Sequence, residues 1–304
     1  MELRIENLTK KFGSYIAVNN VSFNVSGGQI FGIIGPNGAG KTTILKIIEG
    51  LLKQDYGKVL FNGQEITHKE KVRKIGVQLQ DNTLLEYATV QETIDFFADL
   101  YQCMGSENKN LINAFQVEEI LKKRVKDLSI GQQRNLCILL AFIHNPELVI
   151  LDEPSSGLDP KARGILWDYI KEYVRNNNNI VIVTTHLMEE VENLCNSIVF
   201  INKGSIVMAG NPKEIMARTS TKMKIHIEFS TNEKRDIEKS LEMVAYNLHL
   251  SEKEIFCETQ NVHGFLVWLT EYLSKTNIEI THLEIRHSNL EEIYLHEVNK
   301  NEDF

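Results

Sequence analysis

The chain has 304 residues, of which 42% are hydrophobic and 24% charged, with a formal net charge of −8. That length suits one large domain plus a small one, and the ordinary composition excludes a fibrous or wholly disordered chain. The negative balance argues against nucleic-acid binding, which needs clustered cations to displace phosphate counterions; the densest basic run, Lys122-Lys123-Arg124-Val125-Lys126, is short and reads as a solvated turn.

The N-terminus alternates polar and apolar residues from Met1 to Glu6, like a strand, and has no signal-peptide core. Short strands and Gly-rich turns fill the first 60 residues. Ile30-Phe31-Gly32-Ile33-Ile34 predicts a buried strand, and apolar spacing from Lys41 to Ile48 predicts a helix. Residues 90–125 read as mostly helical, with Ile94, Phe97, Leu100 and Tyr101 on one face. The longest apolar run, Leu136–Ile143, falls far short of the roughly 20 residues that span a bilayer, so any service to a membrane is expected from outside it. Further buried strands are predicted at Leu148–Leu151, Ile180–Val183 and Ile198–Ile201; strands alternating with helices imply a largely parallel sheet. The character changes near Asn211-Pro212. Lys222–Phe229 alternates strictly, residues 265–273 are helical in period, 278–285 are strand-like, and Leu290, Ile293, Tyr294 and Val298 mark a last amphipathic helix. The four cysteines, Cys103, Cys137, Cys195 and Cys257, form no CxxC pair; three sit among apolar residues, which fits a reducing, intracellular compartment.

Between the Ile30–Ile34 strand and the following helix lies Gly35-Pro36-Asn37-Gly38-Ala39-Gly40-Lys41-Thr42, which fits GxxxxGK[ST] at every fixed position, with Thr43 next. Glycines let the backbone curl so that N–H groups point inward at phosphate oxygens, and the helix adds the positive end of its dipole. Lys41 supplies a cation to the outer phosphates, and Thr42 offers a hydroxyl to Mg²⁺. A metal-binding carboxylate belongs at the tip of a neighbouring strand, and Asp152 follows Leu148–Leu151 there. Glu153 comes next and can orient and deprotonate an attacking water.

With these elements in order, the chain resembles the ATP-binding subunit of an ABC transporter over residues 2–218. Leu128-Ser129-Ile130-Gly131-Gln132 resembles the family signature Leu-Ser-Gly-Gly-Gln, which caps the γ-phosphate held by the other subunit; the resemblance gives Ser129, Gly131 and Gln132 that task. Two departures stand out: Ile130 replaces the first glycine, which fits if the position needs no positive φ, and Asn135 stands where arginine is usual, with Arg134 one place earlier. Gln80 matches the glutamine that touches Mg²⁺ and the attacking water; Gln78 is a rival by composition, but the phase from Ile75-Gly76 favours Gln80. Ser156-Gly157-Leu158-Asp159 resembles the loop along the dimer seam, with Asp159 near the nucleotide. His186 resembles the histidine that contacts the γ-phosphate, and Phe12 the aromatic that stacks on adenine.

Strand and helix patterning predicts a separate small α+β domain over 219–304; over residues 1–218 the resemblance implies a P-loop ATPase of the α/β class, with an antiparallel β subdomain and a helical subdomain. It implies ATP and Mg²⁺ as ligands, Glu153, His186 and Gln80 as the hydrolytic residues, and Thr42, Gln80 and Asp152 around the metal. It implies a homodimer or heterodimer of ATP-binding subunits at the cytoplasmic face of the cell membrane, driving an integral membrane permease. The ending Asn289–Leu295 resembles the C-terminal helix of ABC-2-type exporters, which favours export. A chromosome- or repair-type member would carry long coiled-coil insertions, and the interval from Lys41 to Asp152 has no sustained heptads; a translation-type member would carry two such domains.

Overall fold

The computed structural model describes residues 1–65, 70, 73–78, 84–103, 107–219, 223–230, 241, 244–251, 253–276, 278–287 and 289–302. The chain forms two compact units, Met1–Pro212 and Lys213–Phe304.

The first unit runs β1 (Glu2–Phe12), β2 (Tyr15–Ser26), β3 (Ile30–Ile34), α1 (Lys41–Glu49), β4 (Tyr56–Phe61) and β5 (Ile75–Gln78). Helices α2 (Val90–Tyr101), α3 (Glu107–Ala114) and α4 (Ile130–Phe142) follow, then β6 (Leu148–Asp152), α5 (Pro160–Asn177), β7 (Ile180–Thr185), α6 (Met188–Leu194), β8 (Ser197–Asn202) and β9 (Ser205–Gly210). β2, β1 and β4 pair as an antiparallel sheet in that order. The central sheet has the order β5-β6-β7-β3-β8-β9; its first five strands are parallel and β9 is antiparallel at the edge. Every residue of β3, β6 and β7 is buried, as the continuous apolar runs require when both faces of a parallel sheet are covered.

The stretch read as mostly helical from 90 to 125 is divided. Thr89 and Glu92 form a capping box that starts α2, and Gln102, in left-handed backbone at φ 57°, stops it. Two short 3₁₀ turns, Glu118–Ile120 and Val125–Asp127, lead into α4. The apolar run of α4 from Leu136 to Phe142 is buried all round.

In the second unit, α7 (Pro212–Thr219) precedes β10 (Met223–Phe229), β11 (Tyr246–Leu250), β12 (Glu254–Thr259), α8 (Val262–Thr276), β13 (Ile280–His287) and α9 (Leu290–Glu302). The sheet order is β11-β12-β10-β13, antiparallel throughout. The alternation of β10 places Ile225, Ile227 and Phe229 in a core with Ile255, Phe265 and Leu269, and turns Lys224, His226 and Glu228 to the other face. Among the described residues no helix is long and apolar enough to cross a membrane.

Candidate nucleotide site

Sheet order builds the site. β7 lies between β6 and β3, with Asp152 paired to Thr184 and Ile34 to Thr185, so three strands end side by side. Ligands of open parallel sheets bind outside these carboxyl ends. The phosphate loop leaves β3, Asp152 ends β6 and His186 follows β7. Thr42 Oγ1 and Asp152 Oδ2, far apart in the chain, come within 3.4 Å.

The loop backbone is a cradle that side chains would fill. Gly40 has φ 107°, and a Cβ there would collide with the Ala17 carbonyl oxygen; one at Gly35 would collide with that of Ile201. Lys41, only 6% exposed, donates to the Gly35 and Pro36 carbonyls at 2.7 and 3.1 Å. Burial lowers the pKa of its ammonium, and the Glu153 and Asp152 carboxylates oppose that shift. A cavity of about 460 Å³ opens here, lined by Asn37, Gly38, Gly40, Lys41, Thr42, Thr43 and Glu153, with Phe12 and Tyr15 exposed at its rim. The curled loop, the lysine and the paired Thr42 and Asp152 oxygens fit the phosphates of a nucleotide and a hard divalent cation.

Glu153 has a left-handed backbone, φ 49°, which is uncommon for a side chain of this length. Its neighbours hold it there. Its N–H donates to the Thr184 carbonyl and hydroxyl oxygens, both at 3.1 Å, and its carbonyl accepts from the Arg134 guanidinium. The Glu153 carboxylate, mostly buried, then meets Nδ1 of the exposed His186 at 3.3 Å. Thr184 also donates to Asp152. One step further on, the hydroxyl of Ser155 and the indole of Trp167 donate to Glu190, a buried carboxylate whose pKa burial raises against those hydrogen bonds.

The structure therefore brings together Phe12, Gly35–Thr43, Asp152, Glu153 and His186. Gln80 lies outside the described residues; Gln78 is buried on β5. Ser129, Gly131 and Gln132 do not line this cavity. Ser129 caps α4, its hydroxyl accepting the Gln132 N–H at 3.2 Å while the Gln132 side chain accepts the Ser129 N–H. Ile130 begins that helix without positive φ and is 76% exposed, so glycine is not required there. Asp159 caps α5, accepting the N–H groups of Lys161 and Ala162 at 2.9 and 3.0 Å. Asn135 donates to the Phe115 carbonyl at 3.4 Å, and it is Arg134, 8% exposed, that reaches the strand end. Sequence reasoning missed Arg134, Thr184 and Tyr15 as members of the site; β-strand phase beside Asp152 could have found Thr184, but nothing local signals the other two.

A phosphate loop after the central strand of a parallel sheet, with a carboxylate at the tip of a nearby strand, defines a P-loop nucleoside triphosphatase. The family model described as ABC transporter matches residues 18–156. An uncharacterized ABC transporter ATP-binding protein of Bacillus subtilis is 38% identical over 207 residues, 67% of each chain. A Nod factor export ATP-binding protein of Rhizobium johnstonii is 30% identical over 298 residues, 96% of this chain and 93% of that protein. Among solved structures, an ATP-binding subunit of an ABC transporter superposes with a TM-score of 0.67 at 27% identity, covering 72% of this chain and 93% of that one. A dimeric ATP-binding cassette bound to ADP and Pi superposes with a TM-score of 0.62 at 25% identity, covering 69% of this chain and 98% of that one. The chain belongs to the ATP-binding proteins of ABC transporters, and it binds and hydrolyses ATP.

Proposed function

We propose that two copies of this chain, or this chain and a related one, sandwich two ATP molecules head to tail, and that closing and reopening the pair drives an integral membrane permease at the cytoplasmic face of the membrane. Residues 1–218 form the nucleotide-binding domain in this reading, and 219–304 a smaller accessory domain. Each site joins Gly35–Thr43, Gln80, Asp152, Glu153 and His186 of one copy to Ser129, Gly131 and Gln132 of the other, with Asp159 along the seam. The observation that carries this is a half-built site: Glu153 lines the phosphate-loop cavity and pairs with His186, while the capped start of α4 lines no part of it.

Phe12 stacks on the base, Lys41 and the loop amides hold the outer phosphates, and Glu153 takes a proton from the attacking water as its oxygen bonds to the γ-phosphorus. The bond from that phosphorus to the bridging oxygen breaks, and ADP leaves with the oxygen. His186 holds the carboxylate toward the water. Thr42, Asp152 and Gln80 would hold Mg²⁺, which supplies positive charge to the phosphate oxygens when bound. Loss of the γ-phosphate removes the contact shared by the two copies, so the pair reopens.

Relatives include a Nod factor export protein and, at 34% identity over 206 residues, 68% of this chain, a lantibiotic transport ATP-binding protein of Streptococcus pyogenes, which support export as the direction. Size-exclusion chromatography of Glu153→Gln with MgATP tests the pairing: a dimer that wild type forms only transiently is the expected result. A variant that binds ATP and stays monomeric would reject it. Co-purification in detergent with a multi-span membrane protein tests the permease.

A further inference from the structure

A second cavity, of about 590 Å³, opens on the polar face of the C-terminal sheet. Cross-strand register composes this face. His226, in the middle of β10, stands opposite Glu284 on β13 and Phe256 on β12; two residues on, Glu228 stands opposite His282 and Glu254. All project away from the core of Ile225, Ile227 and Ile255.

The ligand atoms of His226, His282 and Glu284 lie within 4.8 Å of one another. The His226 ring is oriented by stacking on Phe256, with centroids 4.1 Å apart and planes 7° from parallel. Its Nε2 is buried and has no hydrogen-bond partner among the described residues, a state that costs free energy unless something else takes the nitrogen's lone pair or proton. The Glu228 carboxylate stands 3.8 Å from that same nitrogen and adds negative potential. Arg286 is committed to Glu292 through two hydrogen bonds of 3.1 and 3.0 Å, which leaves Glu284 a longer contact of 3.5 Å to the Arg286 Nε. His282 and Glu284 are exposed, so an ion can reach them and their side chains can turn toward it. Cys257, on β12 opposite Ile225, faces the core with Ile225 and Ile255, which keeps its thiol out of the ligand set.

We propose that this face is a divalent transition-metal site, with His226, His282 and Glu284 as protein ligands and water completing the coordination. Two imidazoles and one carboxylate match Zn²⁺; Mg²⁺ and Ca²⁺ prefer all-oxygen sets. Ligand atoms must close to about 2.0–2.1 Å from the ion, which the exposed His282 and Glu284 can do by small side-chain rotations while Phe256 keeps His226 in place. The site is independent of the nucleotide reading, since it uses no residue of the phosphate-loop cavity.

Co²⁺ titration of the full chain tests it, since tetrahedral Co²⁺ has intense visible bands that Zn²⁺ abolishes by displacement. The expected result is one equivalent of such Co²⁺, bleached by Zn²⁺, with affinity reduced by about 100-fold or more in His226→Ala and in His282→Ala. His282→Ala changes an exposed residue, so its far-ultraviolet circular dichroism and its MgATP turnover without added Co²⁺ or Zn²⁺ should match wild type. Thr42→Ala, in the phosphate loop, should leave the bands unchanged. Absence of tetrahedral bands in wild type, their persistence in both histidine variants, or their loss in Thr42→Ala would overturn the assignment.

Discussion

In the nucleotide-binding unit, polar groups gather at the ends of buried parallel strands; in the C-terminal unit, they stand along the middle of antiparallel strands. At the strand ends, each functional group belongs to a short contiguous motif, and the sheet only has to bring the motifs side by side. Gly35–Thr43, Asp152-Glu153 and His186 each leave a fully buried strand, so their position is fixed by a core that tolerates little movement. Along the C-terminal sheet, by contrast, His226, His282 and Glu284 meet only because β10 and β13 pair in one register. A slip of one residue would turn His226 into the core and scatter the cluster. Chemistry at strand ends is insured by motif; chemistry along a sheet face depends on pairing.

The comparison can be broken or sharpened by substitution. The largest expected effect is at Glu153. Glu153→Gln should keep ATP affinity and lower turnover by roughly 10²–10⁴, as measured by phosphate release against nucleotide binding. Wild-type turnover would remove Glu153 as the base and with it the view that the strand-end motif carries the reaction. Next comes Arg134, which among the described residues reaches the site through the Glu153 carbonyl. A hydrogen bond from a charged group is worth about 1.5–3 kcal/mol, so Arg134→Met should cost roughly tenfold or more in kcat with little change in KM, and Arg134→Lys should recover part of it. If Arg134 were only a core residue, the variant would lose thermal stability and keep kcat per folded molecule.

Ile130 gives a smaller effect. Since it begins α4 without positive φ, Ile130→Gly should weaken that helix start by up to about 0.5–1 kcal/mol, read by denaturant unfolding. A gain in stability would mean that the position is strained after all.

The smallest effect is expected in the C-terminal unit, at Glu292. Burial alone would raise its pKa, but hydrogen bonds from Arg286, Lys224 and the Asn289 N–H outweigh that and hold the carboxyl at about 2, against an ordinary 4.5. Because the folded value is the lower one, its contribution is complete above about pH 4.5 and disappears as pH falls through about 2. Glu292→Gln should therefore melt about 1–3 °C below wild type at pH 7, the pair being partly exposed and screened, and the two curves should converge near pH 2. A constant difference across that range would mean that the ion pair is not its source.

Much of the first unit was legible because its signals are local. The run Ile30–Ile34 names a strand buried on both faces, the glycines that follow name a turn, and Lys41–Ile48 names a helix. Their order is the phosphate loop, and Asp152-Glu153 after another apolar run completes the logic. Arg134 shows where local reading stopped: the resemblance drew attention to Asn135, one position along, yet the turn of α4 that faces β6 presents Arg134. The break of the 90–125 stretch at Gln102 was equally illegible, since a left-handed residue that is neither glycine nor asparagine carries no strong composition signal.

By itself the sequence determined the class of fold, the phosphate loop and the candidate base, because contiguous residues specify a turn, a cap or a strand end through backbone geometry that needs no distant partner. Only the tertiary structure decided that Thr42 faces Asp152, that Arg134 and Thr184 pin Glu153, and that His226, His282 and Glu284 share one face of the C-terminal sheet. Those meetings depend on strand order, register and the angular position of a residue on its helix, which packing sets and no short stretch of chain records.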